Sequence, residues 1–368
     1  ALAARGDYTL LEMPSRVMGR PMPEVYVADM RKELAAGNRS IFCGLLSEKL
    51  RECMEKGNQA MLFLNRRGYQ SFVSCRSCGY VVKCGQCDIA MTYHLTGGDG
   101  RMHCHYCGYT APPPSVCPSC GSKYIRYFGL GTQKVEEEVK KLLPDVKVIR
   151  MDNDTTSGKD AHHRLLSSFR AGEAQILIGT QMIAKGLDFP NVTLVGVVAA
   201  DMTLNLPDYR SPERTFQLLT QVAGRAGRAD APGEVVIQTY KPDHPVIKAA
   251  AAQDYRAFYQ MEFQRRRTGL YPPFTVLCRL LVESERAPEA KAVCQRLHEK
   301  CQDYFQKHPV QQKRVLMMRM DEAPVKLIRG KNRYHVLMKL FEHPESRPIA
   351  GFLSDLAQEE TTTGCQVY

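Results

Sequence analysis

The chain has 368 residues, 44% of them hydrophobic, and Lys plus Arg exceed Asp plus Glu by 50 to 39, for a formal charge of +11. One hydrophobic core rarely grows beyond about 250 to 300 residues, so two or three domains are expected. No apolar run reaches the roughly 18 to 20 residues of a membrane span. Ala1-Leu2-Ala3-Ala4 runs at once into Arg5-Gly6-Asp7, which is not a secretory core. A soluble cytoplasmic protein with no membrane partner is the expectation, and the positive excess points to an anionic partner, nucleic acid foremost. The chain opens without Met and reads like the inside of a longer polypeptide.

Helical spacing of Leu45, Leu46, Leu50, Cys53 and Met54 predicts a helix over 45–56, stopped by Gly57-Asn58, then an apolar strand from Ala60 to Leu64. A cysteine-rich stretch rich in Gly and Pro follows. Beyond it come a helix from Val135 to Leu143, a strand from Val146 to Ile149, a helix over Arg164–Phe169 and a short strand from Gln175 to Ile178. Val192 to Ala200 reads as a longer buried strand, Glu213 to Val222 as a helix, Glu234 to Thr239 as a strand, and the stretch after Pro242 as one long helix to Arg267. Short apolar strands alternating with helices predict an α/β fold with a parallel sheet covered on both faces. After the break at Tyr271-Pro272-Pro273-Phe274, a strand over 275–283, a helix near 287–305 and strands near 314–320 and 334–340 predict a small α+β domain. The expected division is 1–70 with 122–243 as the α/β unit, 71–121 as an insertion, and 244–368 as the C-terminal domain.

Eight of the 14 cysteines form four C-x-x-C pairs: Cys75/Cys78, Cys84/Cys87, Cys104/Cys107 and Cys117/Cys120. Without an export signal the pattern reads as metal ligation rather than disulfides. Each pair presents two thiolates from one turn, and Gly79, Gly108 and Gly121 follow three of the second cysteines. Two pairs complete a closed Cys₄ zinc site, structural rather than catalytic. Three pairings are possible. The 84/87 and 104/107 pairs have the knuckle separation of a zinc ribbon, which leaves 75/78 and 117/120 to close an outer site. Two Zn²⁺ ions are therefore expected, while His94, His103 and His105 read as packing or surface residues. Arg76, Lys83, Tyr93 and Arg101 could face nucleic acid or protein.

Two further segments carry chemistry. Gly179-Thr180-Gln181-Met182-Ile183-Ala184-Lys185-Gly186-Leu187-Asp188 follows a strand directly, at the sheet end where α/β proteins bind ligands. Gln221-Val222-Ala223-Gly224-Arg225-Ala226-Gly227-Arg228 spaces two arginines three apart, on one face if helical, and suits charge on a transferring phosphoryl group.

Together these segments resemble the last two motifs of superfamily 2 helicases. Leu204-Asn205-Leu206-Pro207-Asp208-Tyr209-Arg210, Asn65-Arg66-Arg67-Gly68-Tyr69 leading into the cysteines, Gly129 to Thr132, Tyr271 to Phe274 and Ile328-Arg329-Gly330 narrow the resemblance to bacterial primosomal replication-restart helicases. The resemblance implies a RecA-like second motor lobe with a double zinc-ribbon insertion, and the nested zinc pairing. It implies that Arg225 and Arg228, with Gln221, meet the γ-phosphate of ATP, that Gly186 and Asp188 approach the nucleotide, and that Gly179 and Thr180 contact DNA. It further implies ATP and Mg²⁺ as cofactors of the intact protein and 3′ to 5′ movement on DNA. The implied partners are single-stranded and forked DNA, single-stranded-DNA-binding protein, and primosome and helicase-loading proteins.

No G-x-x-x-x-G-K-[ST] phosphate loop occurs in these residues, so the chain alone is not expected to hydrolyse ATP. Asp321-Glu322-Ala323-Pro324 imitates an acidic helicase box but falls after the arginine segment, in a stretch the family makes Gly/Pro/Ala-rich. Arg329, Lys331, Arg333 and Tyr334 form a candidate DNA-contacting strand, or an edge strand charged against aggregation. Arg265-Arg266-Arg267 reads as a helix end complementing the dipole. A non-enzymatic zinc-ribbon protein that binds nucleic acid, and a superfamily 2 helicase of another branch, are the alternatives.

Overall fold

The computed structural model describes residues 6–9, 11, 21–64, 71–85, 90–93, 100–104, 108–127, 131–152, 155–156, 161–183, 189–206, 208–227, 232–328 and 330–368. The α/β lobe opens with β1 (Glu24–Asp29), α1 (Met30–Ala35), α2 (Gly44–Glu55) and β2 (Gln59–Phe63). An insertion follows with β3 (Ser71–Cys75), β4 (Thr92–Tyr93), β5 (Met102–His103), β6 (Thr110–Ala111) and β7 (Ile125–Tyr127). The lobe resumes with α3 (Thr132–Leu142), β8 (Val148–Met151), α4 (Ala161–Arg170), β9 (Ile176–Gly179), β10 (Val192–Val197), α5 (Asp201–Leu204), α6 (Ser211–Ala223) and β11 (Glu234–Thr239). Next come α7 (Pro245–Ala251) and α8 (Tyr255–Thr268). The last unit holds β12 (Thr275–Ser284), α9 (Ala287–Lys307), α10 (Pro309–Gln312), β13 (Val315–Ile328), β14 (Lys331–Phe341), α11 (Arg347–Glu360) and β15 (Cys365–Val367).

Six strands pair in parallel in the order β1-β11-β10-β2-β9-β8. Successive side chains of a strand leave opposite faces, so the strands that are apolar throughout feed two layers of core. Met61, Phe63, Leu177, Val195, Val197, Val235 and Ile237 meet α4, α6, α7 and α8 on one face. Ala60, Leu62, Leu64, Ile176, Ile178, Leu194 and Val236 meet α1, α2 and α3 on the other. This is the α/β architecture expected, with the insertion placed between β2 and α3.

One buried amide ties the layers. Gln238 accepts from the Cys43 N–H at the cap of α2 and donates to the carbonyls of Ile41 and Val198.

Two local expectations fail. The strand expected over 192–200 ends at Val197, because Ala200 caps the short α5. The long helix expected up to Arg267 is two helices. Gln253 turns to φ 55 and Asp254 caps α8, accepting from the Ala257 N–H, so an alanine-rich run that looks continuous is broken by its own polar cap. Val246, Ile247, Ala249, Ala250 and Phe258 join the lobe core, so α7 and α8 pack with the lobe, although a boundary at 244 assigns them to the C-terminal domain.

The C-terminal unit is an antiparallel sheet ordered β13-β14-β12-β15. Val336, Met338 and Leu340 of β14 pack against Val293, Leu297 and Phe305 of α9 and Ile349 and Leu353 of α11, the expected α+β core.

Candidate functional site: a cysteine cluster and an arginine turn

Cys75 ends β3, and the turn after it brings Cys78 back beside it. The Cys75 N–H donates to the Tyr80 carbonyl (2.7 Å) and the Gly79 N–H to the Cys75 carbonyl (2.9 Å). The same two bonds recur at Cys117, with Ser122 and Gly121, and at Cys104, with Tyr109 and Gly108. Gly79, Gly108 and Gly121 all have φ between 67 and 75°, so the glycines after these pairs are there because the knuckle turn needs left-handed backbone.

The side-chain ligand atoms of Cys75, Cys78, Cys117 and Cys120 all lie within 4.8 Å of one another. Cys75 and Cys120 sulfurs are 3.7 Å apart and those of Cys78 and Cys117 3.6 Å. A disulfide needs about 2.05 Å. Four sulfurs about 2.3 Å from one zinc ion stand about 3.8 Å apart at the corners of a tetrahedron, so the cluster fits zinc. Ser77 and Ser122 hydroxyls, 2.7 Å apart, tie the two knuckles together. The four sulfurs cannot all ionise side by side unaided. Burial raises the Cys75 thiol, but N–H groups of Cys78 and Ser77 and the neighbouring thiols outweigh it and bring it down to about 7. Burial and the neighbouring sulfurs push Cys78 up to about 12. A divalent cation offsets that repulsion.

This is the outer pairing of the nested arrangement. Of the inner set, Cys84 and Cys104 are buried; Cys87 and Cys107 lie outside the described residues, as do His94 and His105. Arg76, Lys83 and Arg101 are exposed, and Tyr93 is half-buried.

The insertion touches both neighbouring units. A side-chain carbon at Gly79 would come within 2.2 Å of the Tyr240 carbonyl, at the end of β11. At Gly108 it would lie 3.6 Å from the Asp321 carboxylate on β13. Nothing in the sequence pattern signals either contact, because a glycine after C-x-x-C is already accounted for by the turn.

The arginine segment departs from expectation. α6 ends at Ala223 and Gly224 caps it, so Arg225 lies in a turn beyond the helix, and the argument that places Arg225 and Arg228 on one helical face does not hold. The chain leaves the helix because Gly227 takes φ 65 and passes back to back with Gly233. A side-chain carbon on Gly227 would sit 2.4 Å from the Gly233 nitrogen, and one on Gly233 2.5 Å from the Gly227 nitrogen. The Gly227 N–H donates to Val192, the first residue of β10 (3.1 Å). Gln221 is exposed on the last turn of α6 and Arg225 half-buried; Arg228, Gly186 and Asp188 lie outside the described residues.

Gly179 and Thr180 stand at the other end of the sheet. Gly179 is level with Phe63 and through it with Val197, five residues along β10 from Val192. At about 3.3 Å per residue the two loops are about 16 Å apart along the strands. Gly179 is small because Ile183 packs on it, with 2.6 Å to a side-chain carbon built there. Thr180 is half-buried, and its carbonyl accepts from the Ile183 N–H.

On β14, Lys331 donates to Gln366 (2.9 Å) and Arg333 pairs with Glu283 (2.7 Å). Tyr334 is half-buried, and burial beside Glu322 raises its hydroxyl above the ordinary tyrosine value. Arg329 lies outside the described residues.

Residues 123–230 match the family described as the helicase conserved C-terminal domain, and residues 84–112 match the PriA DNA helicase Cys-rich region domain. The replication restart protein PriA of Bacillus subtilis (strain 168) is 57% identical over 297 residues, 81% of this chain and 37% of the relative. That of Haemophilus influenzae is 36% identical over 365 residues, 98% of this chain and 48% of the relative. The chain thus spans less than half the length of either. A solved structure of RecG bound to a three-way DNA junction is 14% identical over 71% of this chain and 24% of its own, with a TM-score of 0.37, too slight a likeness to argue from. The chain belongs to the PriA replication restart helicase family, of which it carries the cysteine-rich region and the C-terminal helicase domain.

Proposed function

We propose that the chain is the second motor lobe of an ATP-dependent 3′ to 5′ DNA helicase that recognises stalled forks and restarts replication by loading the replicative helicase. The observation that carries this reading is the two-ended lobe. One parallel sheet carries Gly179 and Thr180 at the carboxyl ends of its strands and, through the Gly227 bond to Val192, the turn after Gln221 at the amino ends, about 16 Å away along the strands at about 3.3 Å per residue. In this reading Gly179 and Thr180 meet the DNA backbone while Gln221, Arg225 and Arg228, with Gly186 and Asp188, meet the ATP phosphates. Guanidinium groups suit that role because they stay charged and cannot act as base or nucleophile. The phosphate loop and metal-binding acids come from the rest of the intact protein, together with Mg²⁺.

The insertion holds two structural zinc ions in this reading, the second on Cys84, Cys87, Cys104 and Cys107. The Cys104 knuckle supports it by repeating the hydrogen bonds of the Cys75 and Cys117 knuckles. The Gly79 knuckle sits on Tyr240, at the same sheet end as Gly179, which favours nucleic acid as what the exposed Arg76, Lys83 and Arg101 face. Arg329, Lys331, Arg333 and Tyr334 are a further DNA-contact strand, and single-stranded-DNA-binding protein and primosome proteins are the protein partners. The test is unwinding by the intact protein. Forked DNA opened in the presence of ATP, with duplex RNA left paired, is the expected result; RNA unwinding, or DNA binding with no ATP turnover, would move the chain to another helicase branch or to a non-enzymatic zinc-ribbon role.

A further inference from the structure

Two stretches that the resemblance singles out, Leu204–Arg210 and Tyr271–Phe274, have no part in the activity proposed above. In the fold they meet. Tyr209 and Tyr271 stack face to face, with ring centroids 5.1 Å apart and planes within 6°. Guanidinium groups of Arg266 and Arg210 lie 5.1 and 5.4 Å from the Tyr209 centroid. On β14 of the C-terminal sheet, Lys339 places its ammonium 3.9 Å from the Tyr271 centroid and donates to the Gly269 carbonyl.

The last turn of α8 locks the contact from beneath. Arg265 donates to the Tyr209 carbonyl. Arg266 donates to the Pro272 carbonyl (3.3 Å) and pairs with Glu213 on the first turn of α6 (2.7 Å). Buried Glu262 accepts from both arginines at 2.7 to 2.8 Å. Arg265 and Arg266 are therefore a clamp rather than only partners for the helix dipole. Three parts converge here: the loop entering α6, the end of α8, and β14.

α6 starts two residues after Tyr209 and runs 13 residues to the arginine turn, about 20 Å at 1.5 Å per residue. Phe216, Leu219 and Val222 bury its inner face, so the helix moves as a unit within a close-packed core. Displacing its amino end displaces Gln221 and Arg225 at the other.

We propose that the Tyr209–Tyr271 stack is a joint through which the C-terminal sheet, by way of Lys339, sets where α6 holds the arginine turn. Tyr209 and Tyr271 are positioning residues. The purpose of the turn rests on the motor reading above; the joint itself stands on the geometry.

The test uses the intact protein with Tyr209→Ala, Tyr209→Phe and Lys339→Met. Tyr209→Ala should lower kcat for DNA-stimulated ATP hydrolysis about tenfold with KM for ATP within about twofold, and Lys339→Met about threefold, while Tyr209→Phe, which keeps the ring, stays within about twofold. Amide exchange over α6 should quicken in Tyr209→Ala and Lys339→Met and not in Tyr209→Phe. Unchanged exchange in Lys339→Met overturns the joint. Quickened exchange with undiminished kcat overturns the positioning role, as does a Tyr209→Phe protein no better than Tyr209→Ala. Were the unaltered protein to hydrolyse no ATP at all, the motor reading would fail instead, and the exchange measurement would still decide the joint.

Discussion

Gly224 and Gly227 look alike in the sequence, each beside an arginine, yet the structure gives them opposite responses to alanine. A methyl group on Gly227 would sit 2.4 Å from the Gly233 nitrogen and 2.8 Å from its α-carbon. Relieving that to ordinary contact near 3.4 Å requires backbone to move by about 1 Å. Holding alanine at φ 65 costs about 1 to 2 kcal/mol, and losing the Gly227 bond to Val192 about 1 kcal/mol more. Gly227→Ala should therefore destabilise the lobe by about 2 to 3 kcal/mol. At Gly224, φ is −63 and the nearest atoms to an added carbon are carbonyl oxygens at 3.4 and 3.5 Å. Gly224→Ala should be neutral or stabilise by about 0.4 to 1 kcal/mol through the unfolded chain. Denaturant unfolding of both variants, followed by circular dichroism, measures the contrast. Equal midpoints would refute the back-to-back packing that holds the arginine turn.

Two further outcomes follow from the site and its surroundings. The purified chain should carry two zinc ions, and chelation should quicken amide exchange in residues 71–127 while leaving β2, β9 and β10 protected; a metal content near one would leave only the cluster of Cys75, Cys78, Cys117 and Cys120, and a content near zero would remove both sites. At the entry to α6, burial raises the Asp208 carboxyl, but hydrogen bonds and charge from Arg210 and Arg214 outweigh it and hold it below the ordinary aspartate value. Its stabilising contribution is thus present above the unfolded value of about 3.9 and is lost as pH falls through the lower folded value. Asp208→Asn should cost stability at pH 7 and progressively less below pH of about 4; a loss that does not shrink on acidification would remove the ionic account.

Much of this fold was legible because its strands are short and apolar throughout. Ala60 to Leu64 reads as buried on both faces, and its alternate residues do enter two core layers. The cysteine pairs were legible from spacing, since two thiolates from one turn admit few other uses. What escaped was whatever depended on distant partners. Glu24–Asp29 carries too little alternation to announce an edge strand, and its place is set by pairing with β11. Arg225 and Arg228 read as one helical face because nothing local shows that Gly227 must pass Gly233. Asp254 reads as one more polar residue in a helix until it is seen accepting from Ala257. The contact of Tyr209 with Tyr271 joins two motifs that the chain keeps far apart, and no periodicity records it.

In the proposed motor, Arg225 and Arg228 beyond α6 meet the phosphates of ATP. The direct measurement is DNA-stimulated ATP turnover by the intact protein carrying Arg225→Ala or Arg228→Ala, with single-stranded DNA affinity measured alongside. Turnover should fall by about 10³-fold or more at Arg228 and substantially at Arg225, with DNA affinity largely kept. Turnover that survives both substitutions would show that neither arginine meets the nucleotide.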